Sequence, residues 1–392
     1  ILRASKLIEQ NIEILSEISS SDSGKTINES MGEVHGSIKI ANYFGTEWMR
    51  SQGELLESSL KGKTTKITRH PLGVAGLITA FNAPLPNITW KVFPAIFCGN
   101  SVVLKPSEFV PKMAIALGKI LIDAGLNPKN IAVLNGGGKN AVGEWIVDDS
   151  NIDIVSFTGS LKVGQEIAGK CSKLFKRYSL ELGGKNAIIL DKDLDLENAL
   201  NYVVQSVFSL SGQRCSAASK IFIHEQIYED FLENLKIRIQ NDIKNNDITF
   251  TCPLITKDSE ERIKSELKKI NEENKVVFER PSSVSLETYY VEPTLLIDLA
   301  LNDKINSEEL FGPVATVNKY HNIEEVLDNI NNSNFGLTCS LHTNNLNLSE
   351  KFIQRAKTGT ININLGTFGS EPHYPFGGFR FSGNGTREPG ID

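Results

Sequence analysis

The sequence predicts the α/β class: two doubly wound α/β domains, the first Rossmann-like, with a small hairpin attached. Three observations predict it. Short β-branched segments lacking a polar face alternate with amphipathic segments, the pattern of a parallel sheet covered by helices on both faces. The rhythm begins again after the pair Gly183-Gly184, which can turn the chain from one domain into the next. A chain of 392 residues also exceeds what one hydrophobic core ordinarily serves.

The first 60 residues place apolar side chains at helical spacing, from Leu2, Leu7, Ile8, Ile12 and Leu15 to Ile38, Tyr43 and Trp48, with a break near Ser19 to Gly24. These helices are expected to cover a sheet. Thr64 to Thr68 alternates like a strand exposed on one side, and Gly73 to Thr79 reads as a buried strand. Predicted strands at 101–105, 131–135 and 152–157 then alternate with predicted helices at 110–124, 139–147 and 163–170. Beyond Gly184 the predicted strands are 186–190, 221–224, 276–278, 314–317, 337–341 and 360–364, and the predicted helices 196–208, 228–240, 258–271, 323–331 and 348–356. No internal repeat or low-complexity segment interrupts them.

Composition narrows the function. Forty-one Lys and Arg against 47 Asp and Glu give a net charge of −6 without a basic block, which argues against a nucleic-acid partner. Five widely spaced cysteines form no C-x-x-C pair and no metal-ligand pattern, as suits a reducing compartment. No apolar run approaches the roughly 18 residues of a membrane span, and no signal-peptide pattern is legible from Ile1. The expected setting is the cytoplasm, with no membrane partner.

Four stretches carry chemistry. In Ser211-Gly212-Gln213-Arg214-Cys215-Ser216, a single thiol follows a flexible turn beside a guanidinium. A free thiol is barely ionised at neutral pH, so a nucleophilic Cys215 needs a base or positive charge nearby, and Glu181 upstream offers the base. Without such support, Cys215 is as readily a buried core residue. Second, Phe157-Thr158-Gly159-Ser160-Leu161-Lys162-Val163-Gly164 lies where a strand becomes a helix, and such a turn lets backbone N–H groups approach a phosphate. It lacks the G-x-G-x-x-G fingerprint.

Third, Lys105-Pro106-Ser107-Glu108 ends a predicted strand at the edge where open sheets bind ligands. Lys105 can hold a ribose hydroxyl or phosphate and Glu108 a ribose diol; a carboxylate there repels a 2′-phosphate, which favours NAD over NADP. Equally, Ser107 and Glu108 suit a helix cap. Fourth, Thr79-Ala80-Phe81-Asn82-Ala83-Pro84 puts an Asn before two prolines, in what reads as a rigid non-helical loop suited to aiming an amide N–H at an oxyanion. Ordinary turn chemistry explains the same residues.

Taken together, seven pieces in order resemble the aldehyde dehydrogenase superfamily over nearly the whole chain. They are Pro71-Leu72-Gly73-Val74 leading to Phe81-Asn82, Lys105-Pro106-Ser107-Glu108, Phe157-Thr158-Gly159-Ser160, Glu181-Leu182-Gly183-Gly184-Lys185, Gly212-Gln213-Arg214-Cys215, Glu308-Glu309-Leu310-Phe311-Gly312-Pro313 and Pro375-Phe376-Gly377-Gly378. The resemblance implies a cofactor-binding domain over 1–183, a catalytic domain over 184–370 and a C-terminal return segment over 371–392. It implies that Cys215 attacks an aldehyde, that Asn82 and the Cys215 N–H bind the oxyanion, and that Glu181 activates the water that hydrolyses the thioester.

By the same resemblance NAD, or NADP as the alternative, is held by Thr79, Lys105, Ser107, Glu108, Gly159, Ser160, Gly164, Leu182, Glu309 and Phe311. Glu388 matches a carboxylate assigned to a proton relay. A substrate tunnel is implied near Ala83, Asn87, Trp90, Ser209, Arg214, Ser370 and Phe376, with Lys91 and Arg214 as candidate anion partners. Its polar members point to a small polar aldehyde or semialdehyde. Relatives that pass the acyl group to coenzyme A generally lack the carboxylate at Glu181, so hydrolysis is favoured over the alternatives of a CoA-acylating relative or a non-catalytic protein retaining the fold. No metal is expected. A hairpin near 54–70 matches the family's oligomerisation element, which implies a homodimer or homotetramer, although the chain looks short at both ends beside typical relatives.

Overall fold

The computed structural model describes residues 1–50 and 53–389. Three helices open the chain: α1 (Leu2–Gln10), α2 (Ile12–Ser23) and α3 (Ile27–Glu47). Gly24 ends α2 in the left-handed conformation at φ 76°. Thr26 then starts α3 with a capping box, accepting from the Glu29 N–H while the Glu29 carboxylate accepts from the Thr26 N–H. The expected hairpin follows as β1 (Glu54–Glu57) and β2 (Thr64–Ile67), antiparallel with Glu54 opposite Ile67 and exposed along its length.

The first sheet is wound from β3 (Val74–Ile78), α4 (Pro84–Phe97), β4 (Ser101–Lys105), α5 (Pro111–Asp123), β5 (Ile131–Val133), α6 (Val142–Asp148), β6 (Ile154–Thr158), α7 (Leu161–Lys173) and β7 (Arg177–Glu181). Its five strands are parallel in the order β5-β4-β3-β6-β7. Leu77, Val102 and Leu104 pack with side chains of α1–α5 on one face, while Ile78, Val155 and Phe157 pack with α6 and α7 on the other. Because β3 pairs with both β4 and β6, the winding reverses there, and the crevice beyond their carboxyl ends is where such sheets hold ligands. Two elements differ from expectation. The prolines after Asn82 do not prolong a loop: Pro84 is the first residue of α4, where its fixed φ and missing N–H suit a helix start. β7, unpredicted, pairs with β6 and carries Glu181 at its end.

The second sheet takes β8 (Asn186–Leu190), α8 (Leu196–Phe208), β9 (Ala218–His224), α9 (Tyr228–Lys244), α10 (Lys257–Leu267), β10 (Lys275–Val277), β11 (Thr294–Leu296), β12 (Val314–Tyr320), α11 (Ile323–Asn331), β13 (Phe335–Gly336), β14 (Thr338–His342), α12 (Leu346–Arg355) and β15 (Thr360–Ile363). Seven of these strands run in the order β10-β11-β12-β9-β8-β14-β15, parallel except where β10 meets β11. Ile188, Leu190, Ile221 and Ile223 face α8 and α9, whereas Ala187, Ile189 and Phe222 face α11 and α12. Both faces are apolar, which is why these strands lack a polar side in the sequence.

The last described segment stitches the two sheets together. β16 (Pro375–Phe376) pairs with β18 (Glu388–Pro389), and β17 (Phe379–Arg380) pairs with β13. Gly383 bridges to Glu181, the Leu182 N–H donates to the Ser382 carbonyl at 3.0 Å, and the Leu180 N–H donates to Asn384 Oδ1 at 2.9 Å. Residues 390–392 of the expected return segment lie outside the described residues. Among the described residues, no helix is long and apolar enough to cross a membrane.

Candidate active site

Cys215 is half-buried and free, and the turn before it is strained on purpose-built contacts. Leu210, Ser211 and Gly212 all take positive φ, at 55°, 51° and 66°. Around them, Gln213 is fully engaged: its Nε2 donates to the carbonyls of Leu210 (3.1 Å) and Pro253 (2.9 Å), and its Oε1 accepts from the Ile255 N–H (3.0 Å). Ser211 Oγ donates to the Cys252 carbonyl. A side chain at Gly212 would put its Cβ 2.2 Å from the Gly312 carbonyl oxygen. Behind the thiol, Asn186 Nδ2 donates to the carbonyls of Cys215 (2.7 Å) and Ala217 (2.9 Å), and Asn186 Oδ1 accepts from the Thr338 N–H.

Burial, reinforced by the charges of Glu181 and Glu309, pushes the Cys215 thiol up to about 12. The charge of Arg214 offsets only part of this. Its guanidinium donates to the carbonyls of Gln205 and Ser206 and lies 4.7 Å over the Phe368 ring. The resting thiol is therefore protonated, and adjacency to an arginine in sequence does not by itself ionise it.

Glu181 is 5% exposed, and neither carboxylate oxygen has a hydrogen-bond partner. Burial raises its pKa well above the ordinary value, the Glu388 charge raises it further, and Lys91 and Arg387 oppose the rise. The carboxylate sits against the Gly377 backbone: a Cβ at 377 would come within 2.7 Å of Oε1. Glu388 itself accepts from Lys91 Nζ (2.8 Å), Ser156 Oγ (2.7 Å) and Ser179 Oγ (3.1 Å).

Asn82 sits just before α4, held at both ends. Its Oδ1 accepts from Asn87 Nδ2 at 3.0 Å, which leaves its own Nδ2 without a partner among the described residues. Its carbonyl accepts from Lys25 Nζ at 2.7 Å, and Lys25 is paired in turn with Glu33. The tunnel residues divide. Trp90 and Phe376 meet edge to face at 5.8 Å, and Ser209 lies at the kink after α8. Ala83 is half-buried and Ser370 exposed. Lys91 and Arg214, the candidate anion partners, are both occupied elsewhere.

The proposed cofactor residues gather at the reversal point of the first sheet. Thr79 follows β3, is 4% exposed, and its Oγ1 has no partner. Lys105, at the end of β4, donates to the Pro106 carbonyl (3.0 Å) and reaches Glu108 (3.4 Å). Ser107 Oγ accepts from the Phe109 N–H at 3.4 Å, bending the chain before α5 rather than capping it. Gly159 and Ser160 lead into α7, whose N-terminus has no side-chain cap and no acidic residue in its first turn. Gly164, inside α7, is a packing glycine whose Cβ would lie 2.6 Å from Leu182.

On the other side, Glu309 accepts from the Gly184 N–H at 3.0 Å, and burial lifts its carboxyl to about 7. A Cβ at Gly183 would stand 1.9 Å from the Glu309 carboxylate, so a side chain there would displace Glu309 from its bond to Gly184, whereas no left-handed turn is involved. Phe311, at φ 53°, meets Phe81 edge to face at 5.9 Å. An orphaned hydroxyl at Thr79 and an uncapped helix N-terminus fit a phosphate-bearing ligand such as a dinucleotide. No group of three or more His, Cys, Asp or Glu placed to hold a metal occurs among the described residues.

Lys25 and Asn186 had no functional reading in the sequence. Asn186 abuts the quoted Glu181–Lys185 motif, a local hint, whereas Lys25 reaches Asn82 across 57 positions.

A family model described as the aldehyde dehydrogenase family matches residues 1–392. The betaine aldehyde dehydrogenase of Bacillus subtilis (strain 168) is 33% identical over 395 residues, covering 98% of this chain and 80% of the relative. The α-ketoglutaric semialdehyde dehydrogenase of the same organism is 33% identical over 399 residues, covering 99% and 81%. Among solved structures, betaine aldehyde dehydrogenase from Staphylococcus aureus in complex with NAD+ superimposes with a TM-score of 0.93 at 28% identity, covering 99% of this chain and 78% of that one.

Proposed function

The chain belongs to the aldehyde dehydrogenase family, and from that premise we propose that Cys215, Glu181 and Asn82 carry out NAD-dependent oxidation of a small polar aldehyde to its carboxylic acid. The observation that carries the assignment is Glu181: a buried carboxylate, both oxygens without partners, close enough to Cys215 for its charge to act on the thiol. With its pKa raised by burial, it is a stronger base than an ordinary carboxylate.

Cys215 attacks the aldehyde carbon as its thiol proton passes by way of Glu181 to solvent, which leaves the carboxylate free to act again. The oxyanion of the resulting thiohemiacetal accepts from Asn82 Nδ2 and the Cys215 N–H, with Lys25 and Asn87 fixing the Asn82 end. The α7 N-terminus and Glu309 would hold NAD, which would supply the hydride acceptor, and the carbon on Cys215 would then be a thioester. Glu181 then takes a proton from water as its oxygen adds to the thioester carbon, the C–S bond breaks, and the acid leaves. An acyl transfer to a thiol would not need that base.

Two features support the substrate class. Trp90 and Phe376 supply one aromatic wall, while Ser209 and the Asn87 amide bring polar groups. Because Lys91 and Arg214 are engaged by Glu388 and by α8 carbonyls, a hydroxylated neutral aldehyde is favoured over a carboxylated one. We assign 1–183 to the cofactor domain and 184–370 to the catalytic domain, since the first sheet's strands end at Glu181 and the second's begin at Asn186. We place the reaction in the cytoplasm, in keeping with five unpaired cysteines. Exposed Leu55, Leu56 and Ile67 on the hairpin support a homodimer or homotetramer.

The test is NADH and acid formation, without coenzyme A, over an aldehyde panel with NAD and NADP. Cys215→Ala should abolish turnover and still bind NAD. Unchanged turnover in that variant removes the nucleophile assignment, and a kcat/KM preference for long alkyl or aryl aldehydes removes the substrate class.

A further inference from the structure

Behind the nucleophile loop lies a small recess of about 10 Å³, lined by Lys185, Asn186, Lys220, Gly336, Thr338 and Thr358 among others. It opens at the start of β8, β9 and β14, and the proposed reaction uses none of its cationic groups. Both lysines are buried, at 7% and 5% exposure. Lys220 Nζ donates to one neutral acceptor, Asn329 Oδ1, at 2.9 Å. Lys185 makes no hydrogen bond or ion pair among the described residues. The hydroxyl of Thr338, on the same wall, is also buried and without a partner.

Burial of two ammonium groups beside one recess drives them towards the neutral amine unless an anion in the recess keeps them charged. The acidic groups acting on Lys185 are Glu309 and Glu308, and Glu309 already accepts from the Gly184 N–H. A water molecule can satisfy a hydrogen bond but not the charge. We propose that this recess is a binding site for one small inorganic anion of chloride size, held by the ammonium groups of Lys185 and Lys220 and the hydroxyl of Thr338.

Size sets the class: the enclosed part takes a water-sized body, which fits a halide and not a phosphate or a nucleotide. The site shares a wall with the catalytic loop, because Asn186 both lines the recess and donates to the Cys215 carbonyl. Burial and mutual repulsion lower Lys185 to about 7 and burial lowers Lys220 to about 8, so both ammoniums are best populated below neutrality.

The experiment is thermal unfolding of the full chain at pH 6.5 and constant ionic strength, with sodium gluconate replaced stepwise by sodium chloride. The expected result is a Tm rise of about 1–2 °C in the wild type. That rise should be lost in Lys185→Met and reduced in Thr338→Val, which keeps the side-chain shape. Crystals soaked in sodium bromide should show one anomalous peak between the two ammoniums and Thr338, a readout that needs no variant to fold. Equal Tm in both salts together with no bromide peak overturns the proposal, as does a chloride effect that survives both substitutions.

Discussion

Glu181 holds the sharpest opposition between folding and chemistry in this protein. A carboxyl whose folded pKa is raised contributes its full stability below the unfolded pKa of about 4.3, and that contribution is lost as pH rises through the folded value. Ionising Glu181 thus weakens the fold while supplying the base. Glu181→Gln is expected to slow acid release by about 10²–10⁴-fold, to flatten its rise with pH, and to melt higher than the wild type by a margin that is larger at the higher of two pH values. Stopped-flow measurement of the burst and the steady state, with melts at the two pH values, reads all three. An unaltered burst and steady state would remove the base assignment. At this scale the sequence exposed what lies in compact motifs: Cys215, Glu181 and Asn82 each sit in a recognisable run. It did not expose Lys25, because a contact to a backbone carbonyl 57 positions away leaves no local pattern. Nor did it expose that Arg214 turns its charge to α8 carbonyls, since direction belongs to packing and not to spacing.

Among the elements, α7 matters most for the cofactor. Its 13 residues begin without a side-chain cap and without an acid, leaving the first N–H groups and the positive end of the helix dipole for an anion. Ser160→Asp should therefore have opposite effects on the helix and the ligand. It supplies the missing cap, so Tm holds or rises slightly, while NAD affinity falls by at least about tenfold through charge repulsion at the phosphates. Fluorescence titration of NAD beside a melting curve separates the two, and unchanged affinity would place the dinucleotide elsewhere. Strongly periodic elements such as α8 and α11 were legible to the residue. α4 is hidden in the sequence because Pro84 and Pro86 after Asn82 fit a rigid loop as well as they fit a helix start, and a proline in the first turn is compatible with both. β7 was missed because Arg177, Tyr178 and Ser179 give it a polar start, and only pairing with β6 makes it a strand.

On the scale of the whole molecule, the two sheets are tied by the C-terminal segment that carries Glu388, whose carboxylate is shared by Lys91 on α4, Ser156 on β6 and Ser179 on β7. Glu388→Ala leaves a buried ammonium at Lys91, 1% exposed, without its partner. The expected loss is about 3–5 kcal/mol of stability, read by denaturant unfolding, whereas a loss within about 0.5 kcal/mol would class the pair as surface-like. The two-series alternation of the sequence anticipated both sheets, but not the return crossing, because Gly383 and Ser382 join β7 through backbone alone. Every residue of the two hairpin strands, β1 and β2, is exposed, Leu55 at 73%. If subunits shelter that ribbon, thinning the solution uncovers it. Enzyme stocks should then lose activity faster when diluted than when kept concentrated, and inert carrier protein should protect them only by coating the vessel, not by restoring the missing neighbour.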